Sequence, residues 1–152
     1  MAASTDNVAM AALLLEHGAD LNARSINEST PIHVAACSGA SRVAELLLSA
    51  GADANCDAGT SSSPLHCAAA EGKEEVAGVL LDYGADISVI DVDNETALHC
   101  AAAWGHTSLV RLLLSRSANV HARNTKGRTP LHEAVLHKHA EAADVLRRHT
   151  AD

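Results

Sequence analysis

Four stretches of the chain share one pattern: Ser29-Thr30-Pro31-Ile32-His33, Ser62-Ser63-Pro64-Leu65-His66, Glu95-Thr96-Ala97-Leu98-His99 and Arg128-Thr129-Pro130-Leu131-His132. Their hydroxyl residues, at 30, 63, 96 and 129, fall 33 residues apart, the kind of period that marks a stack of identical supersecondary units. The same step relates Gly39, Gly72 and Gly105, then Gly18, Gly51 and Gly84, and the apolar triplets Leu13 to Leu15, Leu46 to Leu48, Val79 to Leu81 and Leu112 to Leu114. Four columns held in one register exclude coincidence.

Each column has a physical job. A hydroxyl before proline caps free helix amides, and proline takes the first helical position without losing a needed donor. Ala35-Ala36, Ala68-Ala69 and Ala101-Ala102 then provide a small face for close packing, and Gly39, Gly72 or Gly105 ends the helix in the left-handed conformation. In the second helix Val43, Leu46 and Leu47, like Leu109, Leu112 and Leu113, follow the i, i+3, i+4 spacing of one buried face. Gly51-Ala52-Asp53 and Gly84-Ala85-Asp86 close it, and turn formers such as Asn55, Asp57 and Gly59 suit a hairpin-like loop.

A 33-residue unit with Thr-Pro-Leu-His-x-Ala, a turn glycine, a leucine triplet and Gly-Ala-Asp resembles the ankyrin repeat, and the resemblance runs along essentially the whole chain. It implies an all-α ankyrin-repeat solenoid of helix-turn-helix units joined by hairpin-like loops. Residues 1–152 are expected to form one domain: a partial repeat over 1–23, full repeats over 24–56, 57–89 and 90–122, and a C-terminal capping repeat over 123–152. Met1 to Ala23 holds one complete helix, around Asn7 to His17, and lacks an obvious polar cap. Arg147 puts a charge in the column of Leu48, Leu81 and Leu114, as a polar end repeat would. Departures from the family pattern are local: Glu28, Ser61 and Asn94 replace a loop glycine, Ala97 replaces proline, and Ser117-Ala118-Asn119 replaces Gly-Ala-Asp.

Composition narrows the function. The 47% hydrophobic content excludes a disordered chain, and with Trp104 and Tyr83 the only aromatics the core must be Ala, Leu and Val. A formal charge of -8 opposes contact with a phosphate backbone. No apolar run approaches the roughly 20 residues of a membrane span, and Met1 to Met10 lacks the order of a signal peptide. The expectation is therefore an intracellular protein, cytoplasmic or nuclear, that binds no nucleic acid and does not insert directly in a membrane. The sequons at Asn27 and Asn94 read as coincidental without an export signal.

Catalytic chemistry finds little footing. His33, His66, His99 and His132 stand in the repeat column, where the resemblance implies hydrogen bonds between neighbouring units rather than metal ligation. The run from His132 to His137 has its histidines five residues apart, whereas a zinc-protease helix needs four. No phosphate-binding or nucleophile-elbow motif occurs, so no catalytic, metal-binding or cofactor residue is assigned and the chain reads as a non-enzyme. A zinc-dependent enzyme is the remote alternative. Cys37, Cys56, Cys67 and Cys100 read as reduced thiols; Cys67 and Cys100, one repeat apart, lie beyond the roughly 7 Å reach of a disulfide, while the column of Cys37 is exposed in the family. Asn22 and Asn55 sit in Leu-x5-Asp-x-Asn contexts that resemble asparagines hydroxylated in other ankyrin domains, which makes the chain a candidate substrate there.

The resemblance also implies a protein partner held in a concave groove of loops and first helices. Carried over column by column, the groove positions include Ile26, Asn27 and Ser29; Thr60 and Ser62; Val92, Asp93 and Glu95; Thr125, Lys126 and Arg128; and, at the helix ends, Ser38, Glu71, Trp104 and His137. Trp104 stands out, because an exposed tryptophan is a typical energetic anchor. Acidic Glu71, Asp91, Asp93 and Glu95 against basic Arg123, Lys126 and Arg128 give the groove two electrical ends. The expected role is a monomeric adaptor, scaffold or inhibitor; the alternative is a structural segment of a longer ankyrin scaffold or of a membrane protein's cytoplasmic array.

Overall fold

The structure is a computed structural model that describes residues 1–59 and 62–151; Thr60, Ser61 and Asp152 lie outside the described residues. First helices begin at each repeat motif: α2 (Pro31–Ser38), α4 (Pro64–Ala70), α6 (Ala97–Ala103) and α8 (Pro130–Leu136). Second helices are α1 (Val8–Glu16), α3 (Ser41–Ser49), α5 (Glu74–Asp82), α7 (Thr107–Ser115) and α9 (Ala140–Thr150). Each first helix packs on the next first helix, each second helix on the next second helix, and the two rows pack on each other within every repeat. The result is a two-layered stack in which each unit touches only its neighbours.

The repeat histidine joins local and tertiary structure. Within α2 the Thr30 amide and hydroxyl reach His33 Nδ1 at 3.3 and 2.9 Å, and His33 Nε2 meets the Ser62 carbonyl of the next repeat at 3.0 Å. Because a backbone N–H donates to Nδ1, the ring proton must sit on Nε2, where it donates to the carbonyl. His66 repeats this toward Glu95 at 2.9 Å and His99 toward Arg128 at 3.0 Å. His132 makes the same bonds to Thr129, but its ring is exposed and no carbonyl among the described residues receives Nε2.

Alanine makes the close stacking possible. Ala35, Ala36, Ala68, Ala69, Ala101, Ala102 and Ala134 are fully buried, so the first helices approach with almost no side chain between them. In the second row the fully or nearly fully buried triads are Val43/Ala44/Leu47, Val76/Ala77/Leu80, Leu109/Val110/Leu113 and Ala142/Ala143/Leu146. The core stripe is thus turned slightly from the one read off the sequence: Leu46 and Leu112 are half-buried, and the residue after Val43 or Leu109 takes the central place. The second row must cover the first helices as well as its own neighbours, which draws the stripe toward the inner layer.

Left-handed backbone recurs in three columns. Gly39, Gly72 and Gly105 have φ between 66° and 78°, and Asp6 (50°) and Lys138 (64°) are left-handed in the same column. At Gly72 a side chain is doubly excluded, because an added Cβ would lie 2.5 Å from Nδ1 of His106, whose Nε2 donates to the Ala70 carbonyl at 3.0 Å. Glu28, Asn94 and Ser117 keep φ near 60° although they are not glycine, so these departures leave the fold unchanged and hold modest backbone strain.

The chain's two ends differ from its middle. In place of a first helix before α1, a single 3-10 turn at Ala2–Ser4 packs on α2. Asp6 then accepts from the Val43 amide at 2.9 Å, capping α3, whose own cap position is Ala40. Met10, Leu13 and Leu14 are exposed on α1. At the other end Arg147 is exposed and paired with Asp144 at 2.6 Å, while Val135, in the column of buried Ala36, Ala69 and Ala102, stands open.

Two measurements follow from this geometry. Ser117→Gly should relieve about 1 kcal/mol of left-handed strain and raise Tm by roughly 2–4 °C; an unchanged or lower Tm contradicts that account. His33 and His66 have pKa values held below the usual 6.5, chiefly by burial. The unfolded chain therefore binds more protons just below pH 6.5 than the folded one, so stability is full above that pH and declines as pH falls through and below it. The urea midpoint should drop over that window, and the slope should flatten in a His33→Gln/His66→Gln variant, since glutamine can serve the same capping box.

Candidate functional site

The loops and first-helix ends carry most of the residues picked from the sequence, and the fold gathers some of them while leaving others apart. Ile26, Asn27, Ser38, Glu71, Val92, Asp93 and Thr125 are exposed along the first-helix side of the stack. Ser29 and Ser62 are half-buried and serve structure: the Ser29 amide donates to Ser25 Oγ at 3.3 Å, and the Ser62 carbonyl receives His33. Ser38 folds its hydroxyl back onto the Val34 carbonyl at 2.7 Å. Thr60, also a groove position, lies outside the described residues.

Five sequence-derived positions converge. Glu95, Trp104, Lys126, Arg128 and His137 line one cleft of about 650 Å³ together with Ala103, Glu133, Leu136 and His139. Trp104 caps the C-terminal end of α6, where the chain turns into Gly105, and the residue is 65% exposed. The helix end presents the indole toward solvent because the next residue must adopt the left-handed turn before α7. Leu136, one position before the equivalent of Trp104, adds a second exposed apolar wall.

Two carboxylates of this cleft, Glu95 and Glu133, belong to a network that the motif columns did not reveal. Asn124 is buried, and its Nδ2 donates to Glu95 Oε1 at 3.0 Å and to Glu133 Oε1 at 2.9 Å. Its Oδ1 accepts from the Lys126 and Arg128 amides at 3.1 and 3.0 Å, which shapes the loop that carries both cations. Asp91 performs the same loop-shaping one repeat earlier, taking the Asp93 and Glu95 amides at 2.9 and 2.8 Å. Glu133 is only 4% exposed, with Arg128 at 3.7 Å and His137 at 3.6 Å. A buried carboxylate needs such partners. The signal was present in the sequence: Glu133 stands in the column of Val34, Cys67 and Cys100.

The network also revises the electrical picture of the groove. Asp91 is committed to its own turn, Arg123 donates to the Gly127 carbonyl at 2.7 Å, and Arg128 faces Glu133. Charge is therefore mixed at close range in the Trp104 cleft, and the two-ended pattern survives mainly through Glu71 and Asp93 against Lys126. The two candidate hydroxylation positions differ as well. Both are exposed and the backbone amide of each donates to the aspartate two residues before it at 2.8 Å, but Asn55 also bridges to the next repeat, its Nδ2 donating to the Gly84 carbonyl at 3.1 Å and its Oδ1 accepting from the Asp86 amide at 2.7 Å. Among the described residues no group of three or more His, Cys, Asp and Glu side chains is placed to hold a metal ion.

Asn124 can be tested directly. Asn124→Asp keeps the loop acceptor that Asp91 supplies in its own repeat, but sets a third carboxylate against Glu95 and Glu133. It should lose about 2–4 kcal/mol at pH 7 and regain part of that at about pH 5, as one carboxylate takes up a proton. Denaturant melts at the two pH values check this, and equal losses at both would mean that repulsion among the three carboxylates is not the cause.

A family model described as ankyrin repeats, in three copies, matches residues 1–91 and again residues 65–152. No curated protein matches the chain. With the helical stack, the inter-repeat histidines and a match that spans its length, this chain belongs to the ankyrin-repeat family.

Proposed function

We propose that the chain is a non-catalytic interaction module that holds a protein partner along its loops and first helices, with the partner's anchor seated in the Trp104 cleft. Ankyrin repeats are in general protein–protein interaction modules. The observation that carries the finer reading is the exposed indole that lines, with Leu136, a cleft of about 650 Å³ whose carboxylates Glu95 and Glu133 are both held by Asn124. A rigid aromatic at the edge of a pre-shaped cleft loses little entropy on binding, which is what an anchor requires. The matching segment would present an apolar or aromatic side chain to Trp104 and Leu136, with basic residues toward Glu71 and Asp93 and acidic ones toward Lys126. It acts as a monomeric adaptor, scaffold or inhibitor, without nucleic acid.

A second reading has its own support. Met10, Leu13 and Leu14 leave an apolar edge open on α1, as in a segment of a longer scaffold stacked against further repeats.

Affinity capture from cell extract, with quantitative mass spectrometry, separates these. Trp104→Ala should weaken the specific partner by about 2 kcal/mol or more, roughly 30-fold in Kd, and Asp93→Lys should reduce it further. Arg42→Ala, on the exposed side of α3, should leave it unchanged. Recovery that is indifferent to Trp104 and Asp93 places the binding surface elsewhere.

A further inference from the structure

The last repeat ends the stack with its bonding pattern unfinished. In each internal repeat the ring proton of the cap histidine goes to a carbonyl 29 residues ahead: His33 to Ser62, His66 to Glu95 and His99 to Arg128, all at 2.9 to 3.0 Å. Those carbonyls belong to the loop before the next first helix, and each also takes a loop amide, from Ala58, Asp91 and Asn124 in turn. His132 is prepared in the same way, since the Thr129 amide donates to its Nδ1 at 3.2 Å and leaves the proton on Nε2. Its ring is exposed, and no carbonyl among the described residues receives that proton.

Around His132 the end face is apolar at its centre and basic at its edge. Leu131, His132, Val135 and Leu136 line a cavity of about 450 Å³ with Arg128 and Arg147. Val135 and Arg147 also line a neighbouring cavity of about 290 Å³ with Lys138 and His139. A repeat that closes a stack needs a polar outer surface, yet Val135 is 52% exposed in the column where Ala36, Ala69 and Ala102 are covered by the next unit. Arg128 and Arg147 each hold one carboxylate, Glu133 at 3.7 Å and Asp144 at 2.6 Å, and Lys138 holds none among the described residues. The face thus keeps a positive surplus in an acidic chain: eight of the eleven Lys and Arg residues follow residue 110, but only four of the nineteen Asp and Glu do.

We propose that this end face is a docking surface for an acidic amphipathic segment of a partner protein, seated where a further repeat would stack. A backbone carbonyl of the segment accepts from His132 Nε2, its apolar side chains cover Val135 and the wall of Leu131 and Leu136, and its Asp or Glu side chains meet Lys138, Arg128 and Arg147. A second copy of the chain fits less well, because its opening end offers a 3-10 turn at Ala2–Ser4 in place of a loop and first helix. The Trp104 cleft shares Arg128 and Leu136 with this surface, but His132, Val135 and Arg147 lie outside it, so the end face stands independently of the proposed anchor.

Short random peptides displayed on phage are selected on the immobilised full chain, and the enriched sequences are synthesised and titrated by fluorescence anisotropy. Enrichment should favour sequences that combine Asp and Glu with Leu, Ile or Phe, and their affinity should fall as salt rises. Val135→Asp and Arg147→Glu, both at exposed positions, should each weaken these peptides at least about tenfold while circular dichroism stays helical. His132→Gln, which can still serve the capping box, should weaken them roughly threefold to tenfold through loss of the ring donor. Trp104→Ala and Arg42→Ala should change nothing. The proposal is overturned if selection enriches nothing or enriches basic sequences, if the peptides respond to Trp104→Ala instead of Val135→Asp, or if polyglutamate competes as well as they do. A dimer in light scattering that Val135→Asp abolishes would make a second copy the occupant and overturn it too.

Discussion

One hydrogen-bonded unit underlies the whole stack: the imidazole whose Nδ1 receives the hydroxyl and amide of the helix cap and whose Nε2 donates to a carbonyl of the next repeat. A helix of seven or eight residues is too short to be stable alone, and a stack of such helices needs both a local cap and a tie to its neighbour. His33, His66 and His99 supply both with a single ring, and the cap amide that donates to Nδ1 leaves that ring's proton on Nε2. The same ring fixes the loop that precedes the next first helix, so loop position, helix start and repeat spacing are parts of one constraint.

Around that constraint the stack tolerates substitutions where they cost little. Left-handed positions accept Glu28, Asn94 and Ser117 because the loop hydrogen bonds hold the backbone there. They do not accept a side chain at Gly72, where the ring of His106 occupies the space. Asp6 shows the same economy at the start of the chain: a left-handed residue where other repeats have glycine also caps α3 through space. Strain and capping are exchanged locally, and the two-layered packing of alanine against alanine stays intact.

The candidate site occurs where repeat identity breaks. Trp104 replaces small or polar residues of its column, Glu133 replaces apolar ones, and Asn124 occurs where the other repeats have Ser25, Ala58 and Asp91. Each alone is a surface or core irregularity. Together they form a cleft because α6, α8 and the loop before α8 are adjacent in the stack, and because Asn124 has donors for two carboxylates and acceptors for two amides at once. A repeat scaffold makes such convergence easy, since substitutions 33 residues apart become neighbours.

The sequence by itself determined the repeat, its helices, its left-handed turns and the exposure of Trp104, because each follows from periodic spacing or from the chemistry of one residue in one column. Glycine, proline and hydroxyl positions report local backbone geometry, which a repeating sequence displays several times over. Only the tertiary structure decided the exact buried stripe of the second helices, the 3-10 turn that stands in for an opening helix and the Glu95–Asn124–Glu133 network. These depend on how two neighbouring repeats are offset and on which side chains reach across that offset. A column records what a residue is relative to its own helix, but not which atoms of the next helix it will touch.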